Sequence, residues 1–186
     1  MPVTFSKSQA IKYLKQKSRS LPVHDCLVTA NWPETGLATC LISRQMPGGN
    51  FIFAIFLLDT FCLGVKNAMY NLNLIPRDYK EMKERVIQQS GGKIIEVDIH
   101  YFHNLVYGAV DFAEIYGFKP HKDFAIAEYL LDPDLITEGI DELEFGLSGK
   151  PHYIRGPHES DADVKRILKT LERTAGKANF TKTITD

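Results

Sequence analysis

Three cysteines among 186 residues, at 26, 40 and 62, are odd in number and far apart. They fit neither a disulfide framework nor a CxxC zinc site and read as reduced thiols inside a cell. An excess of charge is missing too. With 22 Lys and Arg against 23 Asp and Glu, a net charge of −1 and a pI near 6.6, no global field draws the chain to nucleic acid or anionic lipid. Binding of that kind needs a local patch. The opening MPVTFSKSQAIKYLKQ lacks the continuous apolar segment of a signal peptide. The most hydrophobic stretch, FIFAIFLLDTFCLGVKN at 51–67, is interrupted by Asp59 and Thr60 and falls short of the roughly 20 residues that span a bilayer. The expectation is a cytoplasmic protein with no membrane partner. P-loop, GxSxG, HExxH and Rossmann glycine patterns are all absent, which removes those enzyme classes.

What is present suits one folded unit. At 44% apolar content the chain can bury a core, and its length fits a single domain over 1–186, with a division near residue 92 as the alternative. Thr4 can cap a first helix over 5–18, amphipathic and basic, with Phe5, Ile11 and Leu14 on one side and Lys7, Lys12, Lys15 and Lys17 over the rest. Three strand-like pieces follow at 25–30, 37–44 and 51–59, joined by NWPETG and QMPGGN, so an antiparallel meander is the economical topology. The third piece scarcely alternates, which predicts cover on both faces. A helix is expected after Gly64, and another from Pro76, stopped by Gly91 and Gly92. A short strand follows at 93–97, then a helix over 99–116 capped by Asp98 and ended by Gly117, and a shorter helix over 122–131. The acidic DPDLITEGIDELE reads as a loop or solvated face, LEFGLSGKPHYIRG as a hairpin turning at Ser148–Gly149. Ser160 and Asp163 form a capping-box pattern before a helix with Val164, Ile167, Leu168 and Leu171 on one face, ended by Gly176.

Three polar constellations can carry chemistry. His103, Tyr107, Asp111 and Glu114 step by four, four and three along one helical stripe. Asp111 and Glu114, one turn apart, can share a divalent cation, while His103 lies about 12 Å up the axis from Asp111 and cannot join it; a solvated face is the alternative. In GFKPHKDF, His121 and Asp123 are either a ligand or acid/base pair, or a turn with a first-turn acid. In GKPHYIRGPHESDAD, Arg155 and a helix start can hold an anion, but Glu159, Asp161 and Asp163 already complement that helix end, which suits capping and turn formation, with a metal on those acids as the alternative. His152 and His158 also lie there. Cys62 is either a buried structural thiol or a nucleophile still lacking a base.

The segments FLLDTFCLGVKNA, HNLVYGAVDFAEIYGFKPHKDF and GKPHYIRGPH, followed by RILKTLERTAGKANF, resemble a bacterial family of unassigned activity. Its members carry similar runs in this order, sometimes beside a zinc motif like the C terminus of SecA. The likeness covers about 25–180. This chain has no cysteine-rich zinc tail, so a zinc function of longer relatives does not carry over. The resemblance implies that Asp59, Gly64, Lys66, Tyr107, Asp111, His121, Asp123, Gly156 and Pro157 belong to shared motifs. Of these, Asp59, Lys66, Asp111 and Asp123 are hard to explain by packing and make a candidate polar site. A weaker, topological likeness is to double-stranded-RNA-binding domains: the first 75 residues read helix, three strands, helix, with Lys66 near the second helix's start.

The fold class expected is α+β: a helix, a three-stranded antiparallel meander, then a mainly helical half with a late β-hairpin. Two functional readings stand. One is a non-catalytic intracellular module that binds a protein or RNA partner, RNA requiring Lys12, Lys15, Lys17 and Lys66 on one surface. The other is a Mg²⁺- or Mn²⁺-dependent hydrolase of phosphodiesterase type, with Asp59, Asp111, Glu114 and Asp123 as candidate metal ligands and Lys66 and His121 assisting. It requires those carboxylates to converge.

Overall fold

The computed structural model describes residues 7–135 and 143–184. Elements run in the order α1 (Lys7–Lys17), β1 (Val23–Thr29), the single turn α2 (Trp32–Thr35), β2 (Leu37–Gln45), β3 (Phe51–Asp59), β4 (Gly64–Leu74), α3 (Pro76–Gln89), β5 (Ile94–Glu96), α4 (Ile99–Ile115), the single turn α5 (Phe124–Ala127), β6 (His152–Ile154), α6 (Asp161–Thr174) and β7 (Thr181–Thr183). The class is α+β. The Thr4 cap and much of the acidic segment, residues 136–142, lie outside the described residues.

Strands β1 to β5 form one antiparallel sheet in the order β4-β3-β2-β1-β5. The meander is there, but it does not stop at three strands. The helix expected after Gly64 is strand β4, paired with β3 from Asp59↔Gly64 to Phe51↔Leu74. Its inward residues Ala68, Tyr70, Leu72 and Leu74 alternate with exposed Asn67, Met69, Asn71 and Asn73, the period of two that marks a half-buried strand. Helix, strand and loop propensities there are weak, and the free edge of β3 decides the outcome. The likeness to double-stranded-RNA-binding domains loses its second helix at this point, and Lys66 stands on a strand instead of at a helix start.

One face of the sheet packs on α4. Cys40, Ile42, Ile52, Ala54 and Phe56 meet Phe102, Leu105, Val106 and Ala109 in a single core. The other face is covered by α3, where Tyr79 stacks on Phe51 at 4.4 Å between ring centroids. Cover on both faces explains why β3 scarcely alternates. It ends before Leu57, which is 36% exposed. The helix expected over 122–131 is α5 followed by a 3₁₀ turn, Glu128–Leu130. Its final carbonyls are taken by Arg19 Nε on Leu131 O at 2.8 Å and the buried Arg44 Nε on Leu130 O at 2.9 Å. Those cations satisfy acceptors a helix end leaves open.

A second, smaller core stands at the end of the sheet. The turn after β3 supplies Cys62, β6 supplies Tyr153, and α6 supplies Val164, Ile167 and Leu171. The turn expected at Ser148–Gly149 is closed by an antiparallel bridge from Leu147 to Lys150, with φ of 54° and 73° at its two central residues, as two-residue hairpins require. Strand β6 continues from it and pairs in parallel with β7, α6 being the crossover between them. This unit is sewn to the main sheet through the turn after β3: Gly146 N–H donates to Thr60 O at 2.9 Å and His152 N–H to Phe61 O at 3.0 Å. Where the two cores meet, a cleft opens.

Candidate functional site

Asp59 ends β3 and is 4% exposed. Its Oδ1 accepts the backbone N–H of Phe61 at 3.1 Å and of Cys62 at 2.9 Å, so the carboxylate caps the turn that leads into β4. Burial pushes its pKa up to about 6, against the pull of Lys66 and those backbone donors. Gly64 closes the turn at φ +68°, where a Cβ would come within 2.7 Å of Ala113 Cβ and 2.9 Å of Ala109 O. Only glycine provides both the backbone angle and the approach of α4.

Two residues on, Lys66 does not pair with Asp59. Its ammonium lies 2.7 Å from Glu159 Oε1, both side chains being less than one-fifth exposed. Glu159 also accepts the Tyr153 hydroxyl at 2.6 Å and Gly156 N–H at 2.9 Å. Burial raises its pKa, but the donors outweigh that and hold it below the usual carboxylate range. Gly156 leaves the room: a Cβ there would be 3.1 Å from Lys66 Nζ. Beside this network the Cys62 thiol is pushed up, first by burial and then by Asp59, so no thiolate forms there.

The cleft in front of Lys66 and Glu159 has a volume of about 450 Å³. Its floor is Leu63, Val65, Phe118 and Ile167; Lys66, Lys119, His121 and Arg166 stand around it with Glu159 and Asp163. His121 is placed by its own backbone, whose N–H donates to Val65 O at 2.9 Å. Its Nδ1 accepts Asp123 N–H at 3.3 Å and lies 3.8 Å from Asp123 Oδ2. The capping box of α6 forms as expected and occupies Asp163, which accepts Ser160 N–H at 3.2 Å and pairs with Arg166 at 2.8 Å. Both acids of the cleft are therefore bonded from within, which leaves apolar surface and cations to face a ligand.

The metal set expected from the sequence is not brought together. Among the described residues no three His, Cys, Asp or Glu side chains gather into a group that could hold an ion. Asp59 points into a turn, Asp123 sits beside His121, and Asp111 and Glu114 are exposed. Position 111 is about 200° around α4 from Ala109, the residue facing Gly64, so Asp111 is directed away from the Asp59 turn. The stripe His103, Tyr107, Asp111, Glu114 is likewise divided. His103 is fully buried: its Nδ1 must donate to Ile99 O at 2.6 Å, and Nε2 accepts Asp132 N–H at 2.8 Å. Burial lowers its pKa and keeps it neutral. Tyr107 bonds to Glu128 at 3.3 Å. In the third constellation, Arg155 is spent on Asp161 at 2.8 Å and on Glu159 O, and His152 on Thr181 Oγ1 at 2.6 Å. His158 is exposed.

Of the candidate catalytic and metal residues, only Lys66 and His121 reach the cleft, together with Asp163 from the third constellation. Lys119, Arg166 and Phe118 were not singled out by the sequence, and Glu159 only as an acid complementing the start of α6; the local signal for them was slight. Comparison of the chain with protein-family models, curated proteins and solved structures finds no match in any of the three. Its own geometry carries the functional reading.

Proposed function

We propose that the chain is a non-catalytic module that binds a segment of a protein partner in the cleft between β4, the α4–α5 connection and α6. The observation that supports this is the state of the cleft's acids. Glu159 and Asp163 are fully engaged by Lys66, Tyr153, Gly156, Ser160 and Arg166. Neither carboxylate is left free to act on a nucleophile, and a volume of about 450 Å³ over an apolar floor is of the size that accepts side chains. The three cysteines are free and buried, which fits a reducing compartment such as the cytoplasm. Among the described residues no helix is long and apolar enough to cross a membrane.

The RNA version drew on Lys12, Lys15, Lys17 and Lys66 as one surface. Lys66 is held by Glu159, and Lys15 lies over the Tyr129 ring, 5.2 Å from its centroid. Protein partnership is the reading that keeps its support. The test is an amide-shift titration of ¹⁵N-labelled protein with a pool of random decapeptides and, separately, with random RNA decamers. Shifts confined to Leu63–Lys66, Gly117–His121 and Glu159–Thr170 on adding peptide are the expected result. Peptide shifts elsewhere, or turnover of bis(p-nitrophenyl) phosphate with Mg²⁺ or Mn²⁺ that Lys66→Met abolishes, would overturn it.

A further inference from the structure

The cleft does not stop at Arg166. A second hollow runs along α6 past Arg166, Lys169, Thr170, Arg173 and Lys177, sharing Arg166 and Thr170 with the first. Positions 166, 169, 170 and 173 recur at helical spacing, so they form one stripe, while Val164 and Leu171 bury the opposite side in the small core and Ile167 lies between the two. The α4–α5 connection flanks this stripe: a Cβ on Gly117 would lie 3.7 Å from Thr170 Cγ2 and 4.0 Å from Arg173 Nη2. Lys119 follows two residues later. Among the described residues Lys119, Lys169, Arg173 and Lys177 make no ion pair, and Arg166's partner Asp163 holds it in an exposed pair of little strength.

Five cations, Lys119, Arg166, Lys169, Arg173 and Lys177, stand against Asp163 and Glu172, and Lys66 cancels Glu159. The joined groove is three charges positive on a chain that is one negative overall, so the rest of the molecule carries four negative charges. A long polyanion that ran past the groove would meet that repulsion. A short acidic segment would not.

We propose that the joined groove selects an extended acidic segment of the partner, whose carboxylates meet Arg166, Lys169 and Arg173 while alternate apolar side chains enter the floor at Val65, Phe118 and Ile167. This deepens the cleft reading and rests on it. Arg166 to Arg173 covers about 10 Å of helix axis, and side chains on one face of an extended peptide repeat at about 6.7 Å, so two or three carboxylates fit the row within the reach of these long side chains.

The experiment is fluorescence anisotropy with four labelled decamers: alternating Glu-Leu, Gln-Leu and Lys-Leu peptides, and oligouridylate. Each is titrated with the wild type and with the triple variant Arg166→Glu, Lys169→Glu, Arg173→Glu, all exposed positions. The expected result is that Glu-Leu binds tightest, weakens about tenfold to a hundredfold in the triple variant, and loses affinity as salt rises. Equal binding of Gln-Leu and Glu-Leu, unmoved by charge reversal, would overturn this inference and leave the cleft reading standing. Failure of every peptide would overturn both. Tighter binding of oligouridylate than of Glu-Leu would replace the acidic segment with single-stranded nucleic acid.

Discussion

Asp59→Asn tests whether the carboxylate at the end of β3 is a folding device carried at a cost. The native Oδ1 accepts two backbone N–H groups, and an asparagine Oδ1 can accept the same two. What the variant removes is a buried charge. The folded-state pKa is about 6 against an ordinary 3.8, so the folded protein holds the proton more tightly than the unfolded chain. The contribution is complete below about pH 4 and is lost as pH rises through about 6. The gap corresponds to about 3 kcal/mol. Relative to wild type, Asp59→Asn therefore gains up to about 3 kcal/mol in unfolding free energy between pH 4 and pH 7.5, and nothing below that window. Asp59→Ala, which also orphans both N–H groups, lies about 1–3 kcal/mol below Asp59→Asn at every pH. The assay is urea unfolding from pH 3.5 to 8, followed by the fluorescence of Trp32, the one tryptophan and 4% exposed. A wild-type-minus-Asn difference that stays flat from pH 4 to 7, or that favours the carboxylate as pH rises, would refute the reasoning. Lys66 would then be stabilising Asp59 more than burial penalises it.

Other sites answer to the same kind of measurement. His103→Leu loses about 2 kcal/mol at pH 7.5 by orphaning Ile99 O and Asp132 N–H. Because the native pKa lies below the ordinary 6.5, wild type loses stability as pH falls under about 6.5, and the deficit of the leucine variant shrinks there; a deficit that grows on acidification contradicts a neutral buried imidazole. Tyr79→Phe, which removes a hydroxyl 2.5 Å from Asp25 Oδ2 and 2.7 Å from Ser43 Oγ, lowers unfolding free energy by about 2 kcal/mol in the same titration. Gly64→Ala costs about 3 kcal/mol from its φ of +68° and the crowding of Ala113 and Ala109 O. Gly49→Ala, at φ +85° in open space, costs about 1 kcal/mol, and equal losses at the two positions would remove the argument from α4's approach.

The parts of the fold legible in the sequence are those whose signal is local. Strand β3 is an apolar run bracketed by QMPGGN and Asp59, and its edges fall where those residues put them. The capping box at Ser160 and Asp163 is complete within four residues, and α6 starts there. Strand β4 was misread because its signal is split. Glycine, lysine, alanine and methionine at 64–69 suit a helix start, whereas Ala68, Tyr70, Leu72 and Leu74 keep strand period. Pairing with β3 settles that conflict, and pairing is not a property of the segment. The α4 stripe failed for a different reason. A straight line on a helix need not cross a uniform environment, and here it runs from a fully buried His103 under Asp132 to exposed Asp111 and Glu114.

The cleft was illegible because its walls come from 63–66, 117–121 and 159–170, joined by the Lys66–Glu159 ion pair and by the His121 N–H on Val65 O. Lys66 belongs to the main sheet and Glu159 to the loop entering α6, so their bond ties the two cores together at the cleft. Breaking one partner would leave a largely buried charge uncompensated, which is costlier than losing the pair altogether. The same bond withdraws Glu159, the more buried of the cleft's two acids, from solvent, with the Tyr153 hydroxyl and Gly156 N–H taking its other oxygen. One contact thus does two things. It ties α6 to the sheet beside the cleft, and it leaves the groove's unpaired charges, Lys119, Lys169, Arg173 and Lys177 against Glu172, predominantly positive. A groove preformed in this way orders little of itself on binding, so the energy of its cations is available for choosing among ligands by charge.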